Sequence, residues 1–94
     1  MSGLTLVAIA RIPQAGVADF QAYETHVLAL LAEHGGTLER RLRNGDGTVE
    51  VHVLRFAARE GLAAYRADPR RLEAASELAR SGAKVEAMEV RDVD

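Results

Sequence analysis

The chain has no cysteine and no tryptophan. Without cysteine there are no disulfides, thiol nucleophiles, zinc knuckles or iron–sulfur ligands, and the cytosol is the expected compartment. Aromatic residues are also scarce: Phe20, Tyr23, Phe56 and Tyr65 are the whole set. Much of the 48% hydrophobic content is alanine, so the 94 residues are expected to form a single domain, residues 1–94, with a thin core. A second copy would cover more apolar surface, and this favours a homodimer. Long apolar runs are missing as well. Leu4 to Ala10 is too short to span a membrane and has neither a basic lead-in nor a cleavage region, so no membrane partner and no export signal are expected. Charge of one sign is lacking too, since 12 basic against 14 acidic residues leave a net charge of −2. Arg40, Arg41, Arg43, Arg70 and Arg71 are interleaved with acids, so no field is expected to draw nucleic acid. No G-x-S-x-G, G-x-G-x-x-G, G-x-x-x-x-G-K or H-E-x-x-H motif occurs.

The patterning that is present predicts the element order βαββαβ. Residues 4–12 form a nearly unbroken apolar run that Pro13 stops, as in a central strand buried on both faces. From Gly16 the period becomes helical. At 100° per residue, Val17, Phe20, Tyr23, Glu24, Val27, Leu28, Leu30, Leu31 and His34 share an arc of about 160°, and Gly35-Gly36 supplies a left-handed stop. Two strand-like segments, 37–43 and 48–56, flank Asn44-Gly45-Asp46-Gly47, the strongest turn signal in the chain. Closure there predicts pairs whose numbers sum to 91, which set Leu42, Arg40 and Leu38 opposite Val49, Val51 and Val53 on one face. On the other face Arg41 meets Glu50 and Glu39 meets His52. Residues 59–81 are helical with an interruption at Asp68-Pro69, where aspartate caps and proline opens a new helix. Gly82 ends that helix, and 84–93 reads as an edge strand.

Several residues are candidates for chemistry. Tyr23 and Tyr65 lie mid-face on their helices, where each hydroxyl needs a partner: backbone or water in a core, or a ligand in a pocket. Arg40 and Arg55 share the strand face of Leu38, Leu42, Val49, Val51 and Val53, where a guanidinium must reach an edge, a carboxylate or a bound anion. A ligand site formed by Tyr23, Arg40, Arg55 and Tyr65 between helices and sheet follows, with Glu24 as the competing ion-pair partner. His52 and Glu50 form either an acid/base pair or a charge ladder with Arg41. His34 serves either catalysis or the helix C-terminus. For metal the expectation is none: His26 and His34 are about 12 Å apart along a helix and cannot chelate together, although His34, His52 and a carboxylate could meet in three dimensions.

Phe20-x-x-Tyr23, His34-Gly35-Gly36, the strand end Val53-Leu54-Arg55-Phe56 and the run Ala64 to Arg70 (AYRADPR) resemble the small dimeric α/β-barrel proteins. More narrowly, they resemble short uncharacterised relatives of the antibiotic-biosynthesis monooxygenases and EthD-like proteins. The resemblance implies an α+β, ferredoxin-like βαββαβ protomer with an antiparallel sheet that packs face to face on a second copy, with the helices outside. It implies three functional readings: a homodimer binding a small acidic or aromatic molecule, a cofactor-independent monooxygenase, isomerase or cyclase of secondary metabolism, and a structural or ligand-sensing dimer. None of these needs a metal or an organic cofactor. If the chain is an enzyme, His52 or His34 as base and Arg40 or Arg55 as cationic stabiliser would suffice for a substrate that forms a stabilised carbanion. Should the site lie elsewhere, the alternative is the His52 face inside the dimer barrel.

Overall fold

A computed structural model describes residues 3–93. The chain runs β1 (Leu4–Arg11), α1 (Val17–Leu28), β2 (Gly36–Arg43), β3 (Val49–Phe56), α2 (Arg59–Ala67), α3 (Pro69–Glu73), α4 (Ala75–Ser81) and β4 (Lys84–Val90). The strands form one antiparallel sheet in the order β2-β3-β1-β4. The helices cover one face of it, which is the α+β, ferredoxin-like arrangement expected. Their apolar sides meet Leu4, Leu6, Ala10 and Phe56 in two clusters, one around Phe56 and Tyr65 and the other around Phe20 and Tyr23.

The helical stretches are more broken than their periodicity suggests. Helix α1 stops at Leu28, and a 3-10 turn over Leu31–His34 carries the chain to Gly35, whose φ of 72° gives the expected left-handed stop. Leu30 and Leu31, both on the apolar arc, are both buried, although the 3-10 turn begins between them. The break at Asp68-Pro69 falls where expected. Asp68 accepts from the Arg70 backbone N–H at 2.9 Å, and Pro69 opens α3. A further break at Ala74 separates α3 from α4, and Gly82, with φ of 71°, closes the segment. Strand β4 is an edge strand as expected, although it ends at Val90 rather than Val93.

The β2–β3 register differs from the expected one. Asn44 pairs with Val49 through a 3.1 Å backbone hydrogen bond, and Thr48 stays in the turn because Asp46 Oδ1 accepts from both its N–H (3.0 Å) and its hydroxyl (2.6 Å). The pairs are therefore Arg43↔Glu50, Leu42↔Val51, Arg41↔His52 and Arg40↔Val53, and beyond a bulge at Glu39 they become Leu38↔Leu54, Thr37↔Arg55 and Gly36↔Phe56. The bulge changes the parity of β2: Leu38 faces the helices with Leu54, whereas Arg40 and Leu42 face away with Val53 and Val51.

Candidate functional site

In β3 the alternation puts Glu50, His52, Leu54 and Phe56 under the helices. Phe56 is 0%, Glu50 1% and His52 7% exposed. A carboxylate so buried must be paired, and the register supplies the partners. In this register Arg41 and Arg43 of β2, opposite His52 and Glu50, share this face. Arg41 Nε donates to Glu50 Oε1 at 2.7 Å and Arg43 Nε to Oε2 at 2.8 Å. His52 Nε2 lies 2.7 Å from Glu50 Oε1. Burial alone would raise the Glu50 pKa, but the hydrogen bonds from His52, Arg41 and Arg43 outweigh it and hold the carboxyl at about 2.

Helix α1 places a second carboxyl above this group. Glu24 is 5% exposed, and its Oε2 lies 3.1 Å from His52 Nε2 yet has no hydrogen-bond partner. One imidazole N–H serves one acceptor well, and the ionised Glu50 is the stronger and nearer. Desolvation, reinforced by the Glu50 charge and only partly offset by Arg41, Arg71 and Arg43, pushes Glu24 up to about 7. Two neighbouring carboxyls are thus driven in opposite directions.

The pair lines a cavity of about 140 Å³ between helices and sheet, whose apolar wall includes Leu6, Ala8, Val27, Leu54 and Leu62. Tyr23 and Tyr65 also line it. The Tyr65 hydroxyl donates to the Val27 carbonyl at 3.0 Å, so its polar end has a backbone partner and its ring is what the cavity meets. Burial raises both tyrosine pKa values, so both rings remain neutral phenols. Arg71 of α3 lays its guanidinium over the Tyr65 ring, 4.9 Å from the centroid, and its buried Nε has no partner.

Of the residues singled out from sequence, Tyr23, Tyr65, Glu50 and His52 line the cavity. Arg40 and Arg55 do not: both are exposed on the opposite face, Arg40 beside Val53 and Arg55 beside Thr5. The expected assignment of the faces is reversed, and the His52 face is the helix-covered one. The signal for this is Phe56, the largest apolar side chain of β3, which shares its parity with Glu50 and His52 and not with the valines. His34 lies outside the cavity wall. Its Nε2 is 2.8 Å from Asp68 Oδ2, and the ring packs edge-on to Tyr65, so it supports the cap of α3. Arg71, just after Asp68-Pro69, carries no periodic signal and was not legible. The arc that holds Glu24 among apolar residues did mark that side chain.

Ligand atoms of Glu24, Glu50 and His52 lie within 4.8 Å of one another, the one such metal-capable group among the described residues. The donor set does not suit a cation. Each Glu50 oxygen already accepts from an arginine, and Arg71 adds a third guanidinium nearby. The arrangement suits an organic anion better.

No family sequence model and no curated protein sequence matches the chain. Solved structures do. SnoaB, a cofactor-independent oxygenase from Streptomyces nogalater, superposes with a TM-score of 0.81 at 19% identity over 100% of this chain and 96% of that one. A candidate antibiotic biosynthesis monooxygenase from Nitrosomonas europaea gives 0.80 at 13% identity over 97% and 90%. Rv0793 from Mycobacterium tuberculosis gives 0.78 at 16% over 99% and 97%. The likeness spans both chains from end to end, and the protein has the ferredoxin-like fold of the antibiotic-biosynthesis-monooxygenase type.

Proposed function

We propose that the protein is a cytoplasmic homodimer that binds a small organic acid bearing an aromatic ring in the cavity between its helices and its sheet. The observation that carries this reading is the pair of buried, unpartnered polar atoms on that cavity, Glu24 Oε2 and Arg71 Nε. Buried polar groups are normally satisfied, and a ligand with an anionic oxygen for Arg71 and a polar group for Glu24 would satisfy both. The rings of Tyr23 and Tyr65 and the aliphatic wall suit an aromatic body. Dimerisation is supported by the helix-free sheet face, where Val7, Ile9, Val51 and Val53 are only half-buried and Leu42 and Met88 are exposed. Titration of an aryl-acid panel, followed by NMR line broadening, tests the site. Arg71→Met should weaken every hit, and unchanged binding would move the site elsewhere.

Cofactor-independent oxygenation or isomerisation is the second reading, favoured by the likeness to SnoaB and by a carboxyl titrating near neutrality in the cavity. Oxygen uptake in the presence of each bound acid separates oxygenation from isomerisation and from binding alone.

A further inference from the structure

The binding reading gives Glu24 a polar contact to the ligand but no chemical role. Its Oε2 is buried, faces the cavity and has no hydrogen-bond partner. The titratable and charged groups around it and its cavity come from every neighbouring element that carries one: Glu50 and His52 from β3, Arg41 and Arg43 from β2, Arg71 from α3, Tyr65 and Arg66 from α2, and Tyr23 on its own helix. Glu50 is committed to its two arginines and to His52, and His52 is committed to Glu50. Glu24 is therefore the one carboxyl here with a free oxygen to take a proton from something in the cavity. Close by, Arg71 presents an unpartnered N–H able to hold a carboxylate and to stabilise negative charge that develops beside it.

A base with a cation nearby and an aromatic-lined wall fits a carbon acid. A simple carboxylic acid has no C–H acidic enough for a carboxylate base. A 2-oxo acid does, at the carbon next to its carbonyl. We propose that Glu24 is the general base for keto–enol interconversion of aryl 2-oxo acids bound in this cavity, an inference that rests on the binding reading above. Arg71 holds the substrate carboxylate. Glu24 Oε2 takes a proton from C3, the C–H electron pair becomes the C2=C3 double bond, and the carbonyl π pair moves to oxygen. The proton on Glu24 is then delivered to that oxygen, which gives the enol and restores the carboxylate. Nothing is oxidised or reduced, and no co-reactant is consumed.

Phenylpyruvate in D2O is the probe, with loss of its C3 proton signal in NMR as the readout of exchange and line broadening as the readout of binding. The intact protein should accelerate exchange over buffer by about a hundredfold, the low end for a positioned general base. Glu24→Gln should return exchange to the buffer rate while phenylpyruvate still binds. In the wild-type protein the exchange rate should climb through pH about 7 and then level, as Glu24 loses its proton. That profile keeps the test decisive if the variant does not fold. Binding without accelerated exchange, a flat pH profile, or a folded Glu24→Gln protein that exchanges as fast as wild type each overturns the proposal and leaves the pocket standing. Failure to bind any aryl acid overturns the pocket reading itself.

Discussion

Glu24 and Glu50 are the same residue type beside the same imidazole nitrogen, His52 Nε2, and their environments give them opposite effects on stability. Glu50 is held at about 2, below its ordinary 4.5, so its contribution is complete above pH 4.5 and is lost as pH falls toward 2. Glu24 is raised from 4.5 to about 7, so the fold favours its protonated form, and stability is lost as pH rises from 4.5 through 7. From this pair alone, stability should peak near pH 4.5 and fall on both sides. Glu24→Gln, a neutral isostere, should gain on the order of 3 kcal/mol relative to wild type above pH 7 and little below pH 4.5, as read by denaturant midpoints across pH. Glu50→Gln should do the reverse at neutral pH and lose about 2 to 4 kcal/mol, because Arg41, Arg43 and His52 would lose their shared acceptor. The sequence marked Glu24, Glu50, His52 and both tyrosines as unusual. It could not assign their roles, because those depend on which face of β3 the helices cover.

At the scale of elements, Asp68 joins three pieces of the chain. It caps α3, accepts from His34 of the turn after α1, and takes Nε and Nη2 of Arg70, which also reaches Glu33. These contacts hold its carboxyl well below the usual range. Asp68→Ala should cost about 1 to 2 kcal/mol as a lost cap, and His34→Ala should cost less when added to it than when made alone, since the two share one hydrogen bond. Gly16 is a second junction: a Cβ there would fall 1.8 Å from the Ser81 carbonyl oxygen, so Gly16→Ala should push α4 away from the start of α1 and lower the melting temperature. Element types and order were legible because period, proline and glycine mark them. The hairpin register was not, because it turns on Asp46 holding Thr48 in the loop, a side-chain choice that strand patterning does not encode. Arg41 and Glu50 still form an ion pair, but diagonally, and Glu50 serves Arg43 and His52 as well. Exchanging Arg41 and Glu50 is therefore expected to be disruptive.

The protomer as a whole is a slab measuring 42 × 35 × 16 Å. Its accessible surface of 5802 Å² exceeds the roughly 5,300 Å² expected for a compact monomer of this mass. A thin slab with a helix-free sheet face lined by valine, isoleucine and leucine is the geometry that a second copy would complete. Size-exclusion chromatography with light scattering should give about 20 kDa, twice the 10.2 kDa chain. Val51→Lys, at the middle of the open face opposite Leu42, should shift the protein toward the monomer without touching the cavity. The scarcity of aromatics and the apolar first strand made this face foreseeable. Which residues lie on it was not, since strand patterning alone does not say which face of β3 the helices cover.

The change of parity along β2 bears on how the chain can vary in length. Pairing is regular on both sides of Glu39, from Gly36 to Leu38 against Phe56 to Leu54 and from Arg40 to Arg43 against Val53 to Glu50. Glu39 is thus a spare residue in the ladder. A deletion there would leave Leu38 inward, Leu42 outward and both arginines beside Glu50, whereas with the turn register held a deletion of Arg43 would bring Leu42 opposite Glu50, where the buried carboxylate needs a guanidinium. Among sequences that share this fold, single-residue gaps in β2 should therefore collect at position 39, and the strand that carries the site's two arginines should otherwise keep its count.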